Sequence, residues 1–441
     1  MAFRLFLIYL LCVYLRPLEQ FAPELMALRP MLILWGLTFV LSVAHLKQTK
    51  LFGAHPTQIW LLMGFWVSAP LSLMANRVWE AIPGSIGDLS TPVMLLCLVA
   101  FNVTSVRRLE VTCKALTIAI CLLCLQSMHG YYTGENLQTF VVRQAANPDA
   151  ITEASAALLP TEDTEGVYLW RLRSVGFLFD PNDFSQMICV VLPMLSLWWQ
   201  PGRWVRNLLV LAPPAAVLLH ALYLTHSRGG MLGVAVVGVI LFVHRVGLFK
   251  GGIAVGVGGF LALAASQIGG RGFSAKESSA NQRLMAWYDG LEMLKSNPVF
   301  GVGYGNFTWH HERTAHNSFV LCFSELGFLG YVMWLSLIVI GFRCLIELIS
   351  TQKDSIRKTG LMMTCSLAAF LTCSWFLSRT YSPSLYVVLG LCFAAHQALM
   401  LEEAHAPAGT RQSMKKGWFP VSLGLAALTV VGVSMFVRSA N

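Results

Sequence analysis

Apolar runs close to the length needed to cross a bilayer recur along this chain, separated mostly by short polar links. They lie near residues 3–15, 31–46, 58–75, 91–103, 111–128, 184–199, 207–224, 230–244, 251–268, 317–342, 359–378, 384–400 and 418–437. The first and fourth are short, so the pattern predicts 12–13 transmembrane helices. Two long polar segments interrupt it, 129–183 and 269–316. The expected organisation is N-terminal helices over 1–128, a first long loop over 129–183 and core helices over 184–268. A second long loop over 269–316 and C-terminal helices over 317–441 complete it. This is an all-α, polytopic helical membrane protein.

The second long segment has internal order. Leu284, Trp287/Tyr288, Leu291 and Leu294 recur at helical spacing. An amphipathic helix is expected from Arg283 to Lys295, with Trp287 and Tyr288 at headgroup level on the outer leaflet. Ser279 and Gln282 have the spacing of a capping box. Asn297-Pro298 stops the helix, and Gly301-Val-Gly-Tyr304-Gly305 follows. No strand precedes that glycine run and no acid follows at the right distance, so it is not a dinucleotide fingerprint. In the first long loop, residues 145–166 lack an apolar period and are expected to be flexible.

Composition fits this pattern. Of 441 residues 56% are hydrophobic and 12% charged, with mean hydropathy +0.62. A soluble domain averages about 25% charged residues. The net charge of +9 can suggest nucleic acid, but its distribution points to orientation. With a cytoplasmic N-terminus, one set of short loops collects 17 basic residues against five acids. Basic residues mark the cytoplasmic side, so both long loops are expected to face outward. The expected location is a membrane that the chain crosses many times, with membrane lipids as partners and no nucleic acid. No cleavable signal peptide is expected, because residues 3–15 lead into Arg16-Pro17 without a small-residue cleavage site. All eleven cysteines lie in or beside apolar spans, which excludes a disulfide framework in the long loops. Cys121-x-x-Cys124 sits inside an apolar helix and reads as packing.

Candidate chemistry gathers at the outward ends of helices. His310, His311, Arg313 and His316 crowd the entry to the tenth span, which carries Ser324 and Glu325 within apolar sequence. A buried carboxylate is costly and needs a partner, so Glu325 and Asn317 read as support for His316. Arg228 occupies a tight outer turn, Ser227-Arg228-Gly229-Gly230, whose glycines favour close packing over lipid exposure. Arg171 and Arg173 precede Asp180-Pro181-Asn182-Asp183 and must emerge near the membrane plane. Asn182 and Asp183 read as helix caps rather than metal ligands, since no second carboxylate pair or histidine is near. Arg283 stands at the start of the amphipathic helix. Arg379 and Tyr381 face outward and can line the same cavity, a role the sequence does not favour.

These residues resemble a known family. His316-Asn317, then Gly327 and Gly330, looks like an outer-loop signature of the O-antigen ligase and polymerase superfamily of bacterial inner-membrane glycosyltransferases. Arg173-x-x-Gly176-x-Phe-x-Asp180-Pro-Asn182 and Ser227-Arg228-Gly229-Gly230 are similar to two further segments of it. The resemblance covers roughly residues 170–340. The opening Tyr14-Leu-Arg16-Pro17 also looks like a branch of O-glycosylation ligases.

The resemblance implies a GT-C type helical fold. It implies transfer of a glycan from undecaprenyl pyrophosphate to a hydroxyl on the periplasmic face, with no cofactor. His316 is then the expected base, with Arg173, Arg228 and Arg283 binding the donor pyrophosphate. Arg171, Arg313, His311, Tyr304, Asn317 and Glu325 support them. No carboxylate cluster is spaced for a divalent cation, so metal-independent, inverting transfer is expected. A ligase acting on lipid A-core is preferred. A polymerase extending a chain end and a protein O-oligosaccharyltransferase are the alternatives. A lipid-linked glycan transporter is disfavoured, because clear intramembrane charges are few.

Overall fold

In a computed structural model the structure describes residues 1–49, 56–145, 159–163, 168–247, 250–252, 278–403 and 417–440. The long helices are α1 (Ala2–Leu15), α2 (Pro30–Thr49), α3 (Pro56–Ala75), α4 (Ile82–Asn102), α5 (Val106–Thr133), α6 (Pro181–Val191) and α7 (Trp204–Leu224). They continue as α8 (Arg228–Val246), α9 (Ser278–Ser296), α10 (Ser318–Ser350), α11 (Asp354–Ser374), α12 (Pro383–Glu403) and α13 (Trp418–Ala440). Seven helices among the described residues are long and apolar enough to span a membrane. The fold is therefore the all-α, multi-pass bundle that the apolar runs predict.

The differences have local causes. The fourth run is longer than expected, because α4 begins at Ile82. The sixth is not one helix: α6 ends at Val191 and a 3-10 turn, Pro193–Trp198, completes it, since Pro193 has no N–H to continue the ladder. All but the first residues of the ninth run, 251–268, fall outside the described residues, as does most of the segment 145–166. Ser279 already lies inside α9, so the Ser279/Gln282 spacing does not begin that helix. A two-stranded antiparallel ribbon was not anticipated: β1 (Val141–Ala145) pairs with β2 (Tyr168–Leu172), Arg143 opposite Trp170.

The longest helix, α10, is the axis of the bundle. It packs against α3, α9, α11, α12 and α13, and Trp334, Tyr331 and Phe323 on it are fully buried. On α7 and α13, by contrast, Leu208, Leu209, Leu428 and Met435 are left exposed, as a lipid-facing surface requires. Helix α9 differs from its expected place in the headgroups. Tyr288 is exposed, but Trp287 is buried between α10, α11 and α13, against Trp375 and Phe436. Gly290 lets the two backbones approach, with Ser324 Oγ donating to its carbonyl at 3.0 Å.

The segments that the charge pattern assigns to one side do meet on one face. Arg16 packs on Gly176, Asn76 Nδ2 donates to Gly301 O (2.8 Å), and Arg171 Nε donates to Thr225 O (3.0 Å). Thr314 Oγ1 reaches Ser378 Oγ at 2.7 Å.

Candidate active site

Helix α10 sets the position of His316. Asn317 is its N-cap, with Oδ1 accepting from the amides of Phe319 (2.9 Å) and Val320 (3.1 Å). The turn before α12 clasps the same helix start. Ser318 Oγ donates to Leu377 O, Arg379 N donates to Ser318 Oγ, and Thr380 Oγ1 donates to Ser318 O. On the other side, the Trp287 indole donates to Ala315 O at 3.0 Å. Between these anchors His316 adopts a left-handed backbone, φ 48°. A side chain rarely takes that conformation unless its surroundings impose it. The imidazole is half-buried and makes no hydrogen bond to any described residue.

Cations surround it. Arg283, on the side of α9, is half-buried and likewise makes no hydrogen bond to a described residue. Its charge reaches His316 and Arg171, and that of Arg228 reaches Arg283. Arg171 is held in place, donating from Nη2 to Asn182 Oδ1 (2.9 Å) and from Nε to Thr225 O. Arg228 opens α8, where Ser227 Oγ caps the amide of Gly230 at 3.2 Å. Arg313 is exposed and donates to Gln282 Oε1 at 2.7 Å. Burial, then the charge of Arg283, holds the His316 imidazole below its ordinary pKa; Arg313 and Arg379 act the same way, and Asp180 opposes them.

Two acids balance part of this charge. Asp180 caps α6, accepting from Asn182 N at 2.7 Å, and lies within electrostatic reach of Arg171, Arg173, Arg379 and His316. Asp183 is buried, and both its oxygens accept from Arg379. This corrects the sequence reading, in which Asn182 and Asp183 were the caps. Asp180 caps the helix, Asn182 orients Arg171, and Asp183 pairs with a residue far along the chain.

A second polar centre lies further along α10. Glu325 Oε2 accepts from Tyr381 Oη at 2.7 Å, and Oε1 accepts from the amide of Phe307 at 3.3 Å. The Tyr304 ring packs on Tyr381, 4.7 Å between centroids. Here Gly327 breaks the helix at φ 62°. The glycine segment seals the break with four backbone bonds, Val302 N to Ser324 O, Gly303 N to Glu325 O, Phe328 N to Pro298 O and Leu329 N to Val299 O. A Cβ on Gly327 would sit 2.4 Å from the Val299 backbone, and one on Gly301 2.5 Å from that of Glu325. Only glycine fits the seam.

The structure thus brings His316, Arg283, Arg171, Arg228 and Arg313 together, with Asn317 beneath them. Glu325 and Tyr304 belong to the second centre, joined to the first through the turn carrying Arg379 and Tyr381. Two expected members sit elsewhere. Arg173 donates to the carbonyls of Gln138 and Thr139 and lies 3.4 Å over the Phe179 ring, so its guanidinium holds the turn just before β1. His311 pairs with Asp289 Oδ2 at 2.7 Å and pins the loop to α9. Arg379 and Asp183 were missed as a pair. The signal for Arg379 was the one used for Arg228, a charge in a tight outward turn between apolar helices. Among the described residues no three His, Cys, Asp or Glu side chains converge as a metal site.

No curated protein matches the chain. Residues 213–335 match a family model described as O-antigen ligase. That stretch runs from within α7 through Arg228, Arg283 and His316 to Leu335, and leaves Arg171, Asp183 and Arg379 outside it. Over residues 213–335 this multi-pass membrane protein is thus similar to the O-antigen ligase family.

Proposed function

We propose that the chain transfers a glycan from undecaprenyl pyrophosphate to a hydroxyl of lipid A-core, at the periplasmic face of the bacterial inner membrane. One observation carries this reading: an imidazole and a guanidinium, His316 and Arg283, adjoin without a hydrogen bond to any described residue. Burial and like charge work against Arg283 and Arg171, so an anion between them offsets a standing electrostatic cost. A pyrophosphate has the charge and the oxygen geometry for such forks.

In this mechanism Arg283, Arg171 and Arg228 hold the pyrophosphate. The acceptor hydroxyl attacks the anomeric carbon while His316 takes its proton. The new carbon–oxygen bond forms as the bond to phosphate breaks, and the electron pair leaves on undecaprenyl pyrophosphate. The guanidinium groups stabilise that growing negative charge. Direct displacement inverts the anomeric centre. Both oxygens of Asp183 are occupied by Arg379, which favours a metal-independent reaction. The periplasmic orientation rests on the distribution of basic residues.

Reconstitution with lipid-linked glycan and lipid A-core should yield inverted product in excess chelator. Restoration of a chelator-inhibited reaction by magnesium or manganese would overturn the metal-free step. Product on a chain end or a protein, with none on lipid A-core, would reassign the acceptor. Cysteines introduced at Glu153 and Lys276 should react with an impermeant thiol reagent in intact spheroplasts; labelling only after lysis would reverse the topology.

A further inference from the structure

A group of exposed rings adjoins the cationic centre and takes no part in the chemistry above. Tyr132, at the end of α5, and His220, on α7, are both exposed. Tyr132 Oη and His220 Nε2 meet at 2.7 Å, with ring planes 1° apart and centroids 6.1 Å apart. A bond between polar edges of parallel rings at that separation sets them side by side, as one flat plate. Tyr223, one turn on from His220, is 58% exposed and tilts against His226 at 5.8 Å. His226 lies within electrostatic reach of Arg171. In chain order His220, Tyr223 and His226 step from the plate towards Arg171.

Aromatic rings at this level often anchor a protein in lipid headgroups. An anchoring tyrosine buries its ring and directs its hydroxyl to water. The plate does the reverse, since the Tyr132 hydroxyl is spent on an imidazole while the residue, edged on one side by Tyr131, stays 45% exposed. An aromatic face carries negative charge at its centre. A pyranose offers the matching partner: a face of C–H groups, made electropositive by neighbouring oxygens. A flat two-ring surface suits such a face better than it suits an acyl chain or a phosphate.

We propose that the Tyr132–His220 plate, extended by Tyr223, is a saccharide subsite that supports the donor glycan while its pyrophosphate end lies at Arg171 and Arg283. This rests on the reading of that centre as the donor site. Recognition through ring faces senses the shape of a sugar more than the order of its hydroxyls, so the subsite tolerates changes of residue within the glycan.

The test uses the full chain in nanodiscs and two probes. One is a single repeat of the source organism's surface polysaccharide, as a free oligosaccharide without lipid or phosphate, followed by saturation-transfer NMR. The other is bare undecaprenyl pyrophosphate, followed by titration. Tyr132→Ala and Tyr223→Ala should each weaken the oligosaccharide about fivefold, the effect of one ring contact. Tyr132→Phe, which keeps the face, should stay within about twofold of wild type. None of the three should change affinity for the bare lipid. No binding of the oligosaccharide to wild type, or equal binding to Tyr132→Ala, would overturn the subsite. Parallel loss of both probes in Tyr132→Ala would make the plate a membrane anchor and overturn it too. Failure of wild type to bind bare lipid pyrophosphate, with oligosaccharide binding intact, would instead sink the cationic-centre reading.

Discussion

The two polar centres on α10 are built from the same helix and the same two loops, yet they are opposites. Around Glu325 both oxygens are supplied: a tyrosine hydroxyl and a backbone amide converge on one carboxylate, with no cation in contact among the described residues. Around His316 guanidinium groups outnumber carboxylates, and His316 and Arg283 make no hydrogen bond to a described residue. Burial of a polar residue alone does not mark a reactive group. A satisfied buried acid organises structure, whereas a half-buried group held in place and left unbonded is poised for a ligand.

Substitutions should separate the two centres. The largest effect is expected from His316→Ala, which should slow single-turnover transfer about 10²–10⁴-fold while donor affinity stays near wild type. If donor affinity collapses as well, His316 is a pyrophosphate ligand and the base lies elsewhere. Glu325→Ala should act on stability instead. It strands the Tyr381 hydroxyl and the amide of Phe307, at about 1–3 kcal/mol for each buried group left unpaired. A lower melting temperature, with donor affinity retained by the folded fraction, would fit. An unchanged melting temperature with lost transfer would move Glu325 into the chemistry.

Smaller effects sharpen the contrast within the cations. Arg283→Ala should weaken donor binding about tenfold, and lysine should rescue it poorly because the planar fork is gone. Arg173→Ala should leave donor affinity nearly intact, since that guanidinium serves the carbonyls of Gln138 and Thr139. The reverse ranking would restore Arg173 to the site. The smallest effect concerns pH. The His316 pKa is lowered, so its neutral form persists below the usual imidazole range; with His316 as the proposed base, activity should be lost only as pH falls through that lowered value. Arg313→Gln removes one neighbouring positive charge, so the acidic limb of the kcat profile should move to higher pH. A limb that stays in place would mean that another group titrates.

The course of the helices was legible because each apolar run reports its own burial. His316, Arg228 and Arg283 were legible for a related reason: charge and imidazole are costly at a membrane helix end unless something uses them. What escaped was pairing across the chain. Local sequence cannot tell that Asp183 will meet Arg379, or that β1 and β2 will join around a polar insertion. Trp287 misled for the same reason. Its spacing showed an amphipathic helix, but not that α10, α11 and α13 would cover the apolar face in place of lipid. Arg171 lies in β2 and Arg173 just past its end, and only the folded chain distinguishes the arginine beside Arg283 from the one that ties down the turn before β1.

The seam at Gly327 also imposes an order on biosynthesis. Residues 298–303 leave the ribosome ahead of the α10 segment whose groups they bond. Until Gly327 arrives, the loop has no partner for the amides of Val302 and Gly303. Until the loop has reached the same face, the break in α10 leaves the amides of Phe328 and Leu329 open, a cost that hydrocarbon does not forgive. The seam therefore closes only once the α10 segment through Leu329 has been made. A fusion or stall that holds the glycine segment back would strand an otherwise well-formed helix.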